Sequence, residues 1–525
     1  MVQDAAADED DEDDRMNADV PGSVLEDDVD AAGPVLGAGV ALCVDLDGTL
    51  VKSDTLVDTV LVLARQRPGD LVRIPGWIAE GKAAFKRHLT SAVQLDVEHL
   101  PYNRPLLEYL RVQHGEGRAI YLATAADVGL AERVAGFLGI FAGVLASDAA
   151  TSGVNLAGGN KLAAMRAKFG DAFCYIGNAK PDVDLLAACV SPMTANPDRA
   201  LRAGMRGKGT IAAANFEDRG SALRSWLKAI RLHQWAKNTL IFVPLLLAHQ
   251  WNPGTFGGAI TAFLSFGMCA SATYIINDLL DLEADRRHPR KKRRPFASGD
   301  ISAIAGVMAV VVLLVAALTL AIALPRIVAL MPGGYHLWRP YKFLEWLGFY
   351  TATTLAYSLY LKRKLLLDVF VLSGLYTVRI LAGSAATGIP VSAWLAGFSV
   401  FFFLSLAFVK RFSEMEGLRE RGGSSSSGRG YFVGDLEQLR ALGTGAAYAA
   451  VVVMTLYINN PDTKLLYAHV IRLWLVVPVL LLWLAQVWML ASRGEMHDDP
   501  VVFAITDKRS LLLGVVMAVV VWSAL

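Results

Sequence analysis

From about residue 235 onward the chain is a succession of long apolar segments: 236–250, 256–278, 301–324, 342–361, 365–387, 391–410, 437–458, 465–491 and 509–525. Most approach the ~20 residues that carry a helix across the hydrocarbon of a bilayer. A buried helix of a large soluble protein imitates one such segment, but not nine in succession. The composition agrees, with 54% hydrophobic and only 19% charged residues among 525, where an ordinary soluble domain carries about 25% charged. A wholly soluble, a disordered and a fibrous protein are excluded. An all-α membrane bundle of about nine transmembrane helices is expected over 235–525.

The preceding residues have a different character. From 38 to 215, short apolar runs bounded by Gly, Asp or Ser alternate with polar helical stretches, and Val40–Val44, Ala119–Leu122, Val144–Ala146 and Phe173–Ile176 read as buried strands. Strands alternating with helices predict a parallel α/β sheet. Residues 216–234 then form a linker and interfacial segment. Residues 1–37 form an acidic tail, since residues 1–30 hold 13 acidic residues and one arginine. Such a run repels itself and buries no core. No secretory signal is expected at the acidic start. Cys43, Cys174, Cys189 and Cys269 lie far apart, which disfavours a disulfide scaffold and a zinc site.

Lysines and arginines set the orientation. Residues 286–294 hold seven, 362–364 three, 410–429 five and 493–509 three, whereas the opposite loops offer Arg326, Arg339, Lys342 and Lys464. The basic side is expected in the cytoplasm of a bacterial-type inner (plasma) membrane, with the N-terminal domain and the active sites on that side. Ser424–Ser427, flanked by glycines, reads as a flexible loop.

The first apolar strand ends in Asp45-Leu46-Asp47-Gly48-Thr49. Carboxylates two apart at the carboxyl end of such a strand face the crevice where open α/β sheets bind ligands. One suits a nucleophile and the other a proton donor to a leaving group. Thr124 follows the next strand, Lys161 follows Gly158-Gly159, and Asn178 and Asp182 follow Phe173–Ile176. This order of motifs resembles the haloacid dehalogenase-type (HAD) hydrolases, and the helical stretch from Asp54 to about Tyr109 matches the place of a small helical cap in that family. The resemblance implies that Asp45 attacks phosphorus, that Asp47 is general acid and base, and that Thr124 and Lys161 hold the phosphoryl group. It also implies that Asp45, Asp182 and Asn178 bind Mg2+. Asn178 stands where many members carry an acidic residue. Trp77, Lys82, Lys86, Arg87 and His88 are either substrate-facing or solvated cap residues, and a phosphatase-dead scaffold is the alternative to a working enzyme.

The second apolar segment ends in Asn277-Asp278-Leu279-Leu280-Asp281-Leu282-Glu283-Ala284-Asp285. At about 100° per residue, Asp278, Asp281 and Asp285 share one helical face. Three carboxylates on one face repel one another and call for a cation, and hard oxygen ligands favour magnesium. His288, Arg290 and Lys291 to Arg294 follow at once as a basic complement able to clamp a diphosphate.

Asn277–Asp285 with this basic loop resembles the UbiA superfamily of intramembrane prenyltransferases, from Leu232 to the end. Lys237 and Asn238 before the first segment, and Tyr357, Lys362, Asp368, Tyr376 and Arg379 later, carry the resemblance further. Asp368 and Arg379, three helical turns apart, are expected to share a face and to pair. Where ordinary members carry a second Asp-rich motif, this chain reads Lys410-Arg411-Phe412-Ser413-Glu414. With His288, that pattern is most similar to decaprenyl-phosphate phosphoribosyltransferases. The resemblance implies Asp278 and Asp281 as catalytic residues, which with Asp285 bind Mg2+. It places Lys237, Asn238, Asn277, His288, Arg294, Tyr357, Lys362, Arg379, Lys410, Arg411 and Glu414 around the substrates.

The expected function is therefore bifunctional: transfer of 5-phosphoribosyl from phosphoribosyl pyrophosphate to a polyprenyl phosphate, then removal of the 5-phosphate by the HAD-like domain. The alternative is prenyl transfer from a diphosphate to an aromatic acceptor. A transporter is disfavoured, because an Asp cluster at the end of a segment is not a midplane site. The bilayer and the two substrates are the expected partners, a homo-oligomer is allowed, and nucleic acid is not expected.

Overall fold

The alternation of apolar runs and helices produces six parallel strands: β1 Ala41–Val44, β2 Ile120–Asp127, β3 Gly143–Ser147, β4 Phe173–Gly177, β5 Ser191–Ala195 and β6 Ala214–Phe216. The structure, a computed structural model, describes residues 39–148, 155–423, 430–496 and 499–525; the acidic tail 1–37 and the Ser424–Ser427 loop lie outside them. The strand order is β3-β2-β1-β4-β5-β6. Val44 of β1 pairs with Leu122 on one side and Ile176 on the other. The chain winds outward from β1 to β3 and returns to β4, so the direction of winding reverses between β1 and β4. That reversal opens a crevice at the carboxyl ends of those strands.

Each central strand is buried on both faces, as a helix-covered parallel sheet requires. Leu42, Val44, Ile120, Leu122 and Ile176 pack with Leu63, Leu89 and Leu106 on one face. Cys43, Ala123, Phe173 and Tyr175 pack with Met165, Leu185 and Leu201 on the other. The insertion expected as a cap contains the helices Thr55–Gln66, Ile74–Ala79 and Lys82–Ala92, with Arg104–Gly115 leading back to the sheet. Asp54 caps the first of them by accepting from Leu56 N and Val57 N.

The chain divides into two compact units. Among the described residues, one is built from 39–231 and Tyr274–Val311, and the other carries Leu232–Thr273 and Val312–Leu525. The first therefore holds the Asp-rich segment as well as the sheet. That segment ends the helix Pro253–Leu280, continues as the short helix Leu282–Arg287 and a turn at Lys291–Arg293, and enters the helix Ala303–Leu330. Residues 216–234, expected as a linker, include the helix Ala222–Ile230.

Six helices among the described residues are long and apolar enough to cross a membrane: Pro253–Leu280, Ala303–Leu330, Leu367–Thr387, Ala393–Glu420, Val433–Asn459 and Val470–Ser492. The other three expected segments fall short for physical reasons. Residues 236–250 form the turns Leu232–Phe242 and the short helix Val243–Leu247, where Pro244 sits at a helix start. Lys342–Leu359 is a helix diluted by Lys342, Glu345 and hydroxyl residues, and Lys508–Ala524 is 17 residues long. In the helical unit, small residues let backbones approach. A Cβ on Gly383 would lie 2.1 Å from the Ile241 carbonyl oxygen, and one on Gly443 2.2 Å from the Trp488 ring.

Candidate active sites

The crevice at the switch point gathers four of the expected residues into a chain of hydrogen bonds. Asp45 leaves β1 held by its backbone N–H on the Ile176 carbonyl at 3.0 Å. Lys161, almost wholly buried, donates from Nζ to Asp45 Oδ1 at 2.7 Å and to the Tyr175 hydroxyl at 3.0 Å. Tyr175 donates to Asp182 Oδ1 at 2.8 Å, and Asp182 Oδ2 accepts from the Asn178 and Ala179 N–H groups at 3.1 Å. Gly177 permits this approach, since a Cβ there would lie 2.7 Å from the Asp182 carboxyl carbon. Gly48, at φ +75°, likewise makes room for Asn178, whose side-chain nitrogen would lie 2.0 Å from a Cβ. Thr124 is fully buried, its Oγ1 accepting from Ala126 N at 3.0 Å.

Asp47 reaches the other side of the crevice, where its Oδ1 accepts from Thr55 N at 2.7 Å. A cavity of about 180 Å³ adjoins it, lined among others by Asp54, Thr55, Lys86, Thr90 and Asp127. Burial, with Asp54 beside it, raises the Asp47 carboxyl to about 7. Burial and Asp182 raise Asp45 to about 6 against the pull of Lys161. Burial lowers the Lys161 ammonium, but Asp45 and Asp182 overcome it and hold the group above its ordinary value. Of the cap residues, Lys86 turns inward to the Ala125 carbonyl and Asn155 Oδ1, at 2.5 and 2.7 Å. His88 stacks on Trp77 and meets Glu80, while Lys82 and Arg87 are exposed.

The Asp-rich segment makes a second cluster. Asp278 and Asp285 are buried, and both face one cation: Arg294 Nη1 lies 3.3 Å from Asp278 Oδ1 and 2.9 Å from Asp285 Oδ2. Arg231 Nη2 adds a 2.7 Å bond to Asp278 Oδ1. Burial raises the Asp285 carboxyl, with Arg294 opposing it. Asp281, at the break between the two helices, pairs with Arg65 at 3.2 Å. His288 is exposed and accepts through Nδ1 from the Arg290 and Lys291 N–H groups. Asn277 lies one residue before Asp278 on the long helix.

The helical unit holds two further polar clusters. In the first, Lys237 and Lys410 both donate to Asp499 Oδ2, at 2.9 and 2.8 Å, and the Tyr376 hydroxyl bonds the same carboxylate. Two ammonium groups on one carboxylate leave a net positive charge. Beside them on the same helix as Tyr376, Arg379 donates to Asn238 Oδ1, the Leu375 carbonyl and the Tyr350 hydroxyl. In the second cluster, Arg411 is 1% exposed and its three nitrogens meet Asp368 Oδ2, Glu414 Oε2 and the Tyr357 hydroxyl. The Tyr431 hydroxyl donates to the other oxygen of Asp368. Asp368 thus pairs with Arg411 and not with Arg379, because Arg411 brings a guanidinium into the same buried spot from the neighbouring helix. Lys362 lies in the turn Leu361–Arg363.

Sequence reasoning missed Tyr175, Arg231, Arg65 and Asp499. Tyr175 was hidden inside a strand read only as apolar. Asp499 precedes Pro500 and reads as a helix N-cap, which it also is.

Magnesium can be tested against these donors. Among the described residues no three His, Cys, Asp or Glu side chains close into a metal cage. The carboxylates instead converge in pairs on a cationic side chain: Asp278 and Asp285 on Arg294, Asp45 and Asp182 on Lys161, the latter at 2.7 and 3.9 Å. Each pair offers the hard oxygen donors that magnesium takes, with the lysine or arginine now holding the positive charge between them.

The UbiA prenyltransferase family matches residues 239–507. The uncharacterized protein y4nM of Sinorhizobium fredii is 36% identical over 91% of this chain and 89% of its own length. Nodulation protein NoeC of Azorhizobium caulinodans is 35% identical over 56% of this chain and 92% of its own. Decaprenyl-phosphate phosphoribosyltransferase of Mycobacterium tuberculosis is 34% identical over 38% of this chain and 62% of its own.

Proposed function

The chain belongs to the UbiA prenyltransferase family and is a multi-pass membrane protein with six long apolar helices among its described residues, and from that premise we propose that it transfers 5-phosphoribosyl from phosphoribosyl pyrophosphate to a polyprenyl phosphate and then removes the 5-phosphate in its α/β domain. A phosphate oxygen of the lipid attacks the anomeric carbon, the bond from that carbon to pyrophosphate breaks, and pyrophosphate leaves with the electron pair. Asp278, Asp281 and Asp285 would hold magnesium, which would supply positive charge for the departing pyrophosphate. Arg231 and Arg294 supply fixed cations to the same diphosphate, with Asn277 and His288 as further polar contacts.

The observation that carries the choice of donor is the Lys237–Lys410–Asp499 cluster. A second magnesium site needs carboxylates in excess, whereas here two ammonium groups outnumber one carboxylate. That excess suits the additional 5-phosphate of this donor. Arg379, Asn238 and Lys362 extend the polar lining, while Arg411, with Tyr357 and Glu414, braces the helices from within. The relative named for decaprenyl-phosphate phosphoribosyl transfer supports the same choice.

In the α/β domain, Asp45 attacks phosphorus and Asp47 gives its proton to the departing sugar oxygen. Water then cleaves the aspartyl phosphate with Asp47 as base. The carboxyl of Asp47, raised to about 7 by burial, is fit to carry that proton near neutrality. Lys161 and Thr124 hold the phosphoryl oxygens, and Asp45, Asp182 and Asn178 would hold the magnesium that offsets their charge. The basic loops support a cytoplasmic position for both sites in a bacterial-type inner membrane. Purified protein incubated with radiolabelled phosphoribosyl pyrophosphate and polyprenyl phosphate should yield labelled lipid on extraction. Transfer of a prenyl group to an aromatic acid, with no use of phosphoribosyl pyrophosphate, would favour the alternative.

A further inference from the structure

The α/β domain and the segment Tyr274–Val311 form one compact unit, and the contacts inside it are specific. Arg286 is buried; its Nη1 donates to Asp58 Oδ2 at 2.8 Å, its Nη2 to Ser53 Oγ at 3.1 Å and its Nε to the Ala297 carbonyl at 3.3 Å. Ser53 closes the ring by donating to Asp58 Oδ2 at 2.6 Å. Asp58 is fully buried. Around this ring lies a second tier. Arg287 Nε meets Asp96 Oδ2 at 2.6 Å, and Glu283 accepts from Arg287, from the Asp96 N–H and from Gln66. Lys52 reaches Asp300 at 3.5 Å.

The helix Thr55–Gln66 carries Asp58 and Gln66 of these partners, and Arg65 besides. Its first N–H is held by Asp47, Asp58 in its middle grips Arg286, and Arg65 near its end pairs with Asp281. Ten residues of helix span about 15 Å. A rigid rod of that length thus runs from the phosphatase crevice to the Asp-rich segment. None of Asp58, Ser53, Asp96 or Gln66 has a part in phosphatase chemistry. Asp58 is a buried carboxylate whose cation comes from the Asp-rich segment.

We propose that the α/β domain is a positioning element of the transferase, holding Asp278, Asp281 and Asp285 in register through Asp58 on Arg286, Asp96 on Arg287, and Gln66 and the Asp96 N–H on Glu283. This rests on the reading of the Asp-rich segment as the transferase site. Partners that orient metal-binding carboxylates commonly change affinity or activity by about 10–100-fold when removed, and Asp58 is such a positioning residue.

The test uses the full-length protein in lipid nanodiscs, with two readouts: phosphoribosyl transfer to polyprenyl phosphate, and amide hydrogen exchange of residues 282–300. Asp58→Asn should lower transfer about 10–100-fold and speed exchange in 282–300, with the sheet strands as protected as in the wild type. The charge-reversed double variant Asp58→Arg with Arg286→Asp should restore much of both, which a loss of general stability would not allow. Lys208→Ala, which opens the exposed Lys208–Asp184 pair of the same domain, should change neither. If Asp58→Asn loosens the sheet itself, Asp96→Ala takes its place, cutting the Arg287 pair along with the local contacts of Asp96 to His99 and the Glu98 N–H, and giving a smaller loss. Wild-type transfer and unchanged exchange in Asp58→Asn, or in Asp96→Ala where that stands in, would overturn the proposal. If the wild type uses no phosphoribosyl pyrophosphate, the functional reading fails alone, and the exchange data still decide whether the domain holds the segment.

Discussion

Lys161 donates from Nζ to Asp45 Oδ1 at 2.7 Å inside a crevice from which water is nearly excluded. In the proposed phosphatase reaction, a fixed ammonium at that distance would already be in place for the charge that develops on the transferring phosphoryl group. Removing one such preorganised donor costs about 10²–10³ in rate. Lys161→Met should therefore lose hydrolysis of a simple phosphomonoester by that factor, while lipid labelling from phosphoribosyl pyrophosphate persists. Unchanged hydrolysis would remove Lys161 from the site.

The raised carboxyl of Asp47 makes a stability prediction. Its folded value of about 7 lies above the ordinary aspartate value, through burial and Asp54. The domain is therefore least burdened at low pH, where the group is neutral in both states, and loses stability as pH rises toward and through about 7. Asp47→Asn keeps an oxygen for the Thr55 N–H and never ionises. It should raise the unfolding midpoint of the α/β domain at pH 8 and leave it unchanged near pH 3, where the carboxyl is neutral folded and unfolded, while abolishing hydrolysis. Calorimetry at the two pH values checks the sign.

Asp278 and Asp285 converge on Arg294, and Asp281 on Arg65. Asp278→Ala or Asp281→Ala should reduce lipid labelling at least about 100-fold, since in the proposed reaction each removes a carboxylate from a metal-dependent step worth several kcal/mol. Chelation of magnesium should do the same to the wild type, and added magnesium should restore it. Full activity of both variants in chelator would remove the metal from the account.

Much of this was legible in the sequence for simple physical reasons. Asp45 and Asp47 end an apolar run, and Asp278 and Asp285 meet on one cation, Arg294. Those spacings are local and survive folding, but the expected three-carboxylate face does not: the helix breaks at Asp281, which turns to Arg65. The strands Ser191–Ala195 and Ala214–Phe216 were not legible: one begins Ser-Pro and the other is three residues long, and only pairing on β4 and β5 makes them strands. Tertiary partners were equally hidden. Asp368 and Arg379 have the spacing of a pair, but Arg411 from the adjacent helix takes Asp368, and Arg379 turns to Asn238 and Tyr350. Periodicity places a side chain on a face and does not choose its partner.

Lys410 and Arg411 are neighbours in sequence with opposite expected phenotypes. Lys237→Ala and Lys410→Ala should raise the KM for phosphoribosyl pyrophosphate, each lost charged contact being worth about 1.5–3 kcal/mol. Arg411→Met leaves Asp368 without its cation in the interior. Breaking a buried pair in that way costs about 3–5 kcal/mol, so this variant should lose folded yield rather than donor affinity. Initial-rate kinetics and size-exclusion profiles of the three variants separate the two outcomes.

The central claim is that one chain both attaches a phosphoribosyl group to lipid and trims its 5-phosphate. Mass spectrometry of the lipid extracted after reaction reads it directly, comparing wild type with Asp45→Asn, which keeps the shape of the side chain and removes the nucleophile. The wild type should accumulate the ribosyl lipid without a 5-phosphate, and Asp45→Asn should accumulate the same lipid heavier by one phosphate group. Identical products from the two proteins would contradict the account.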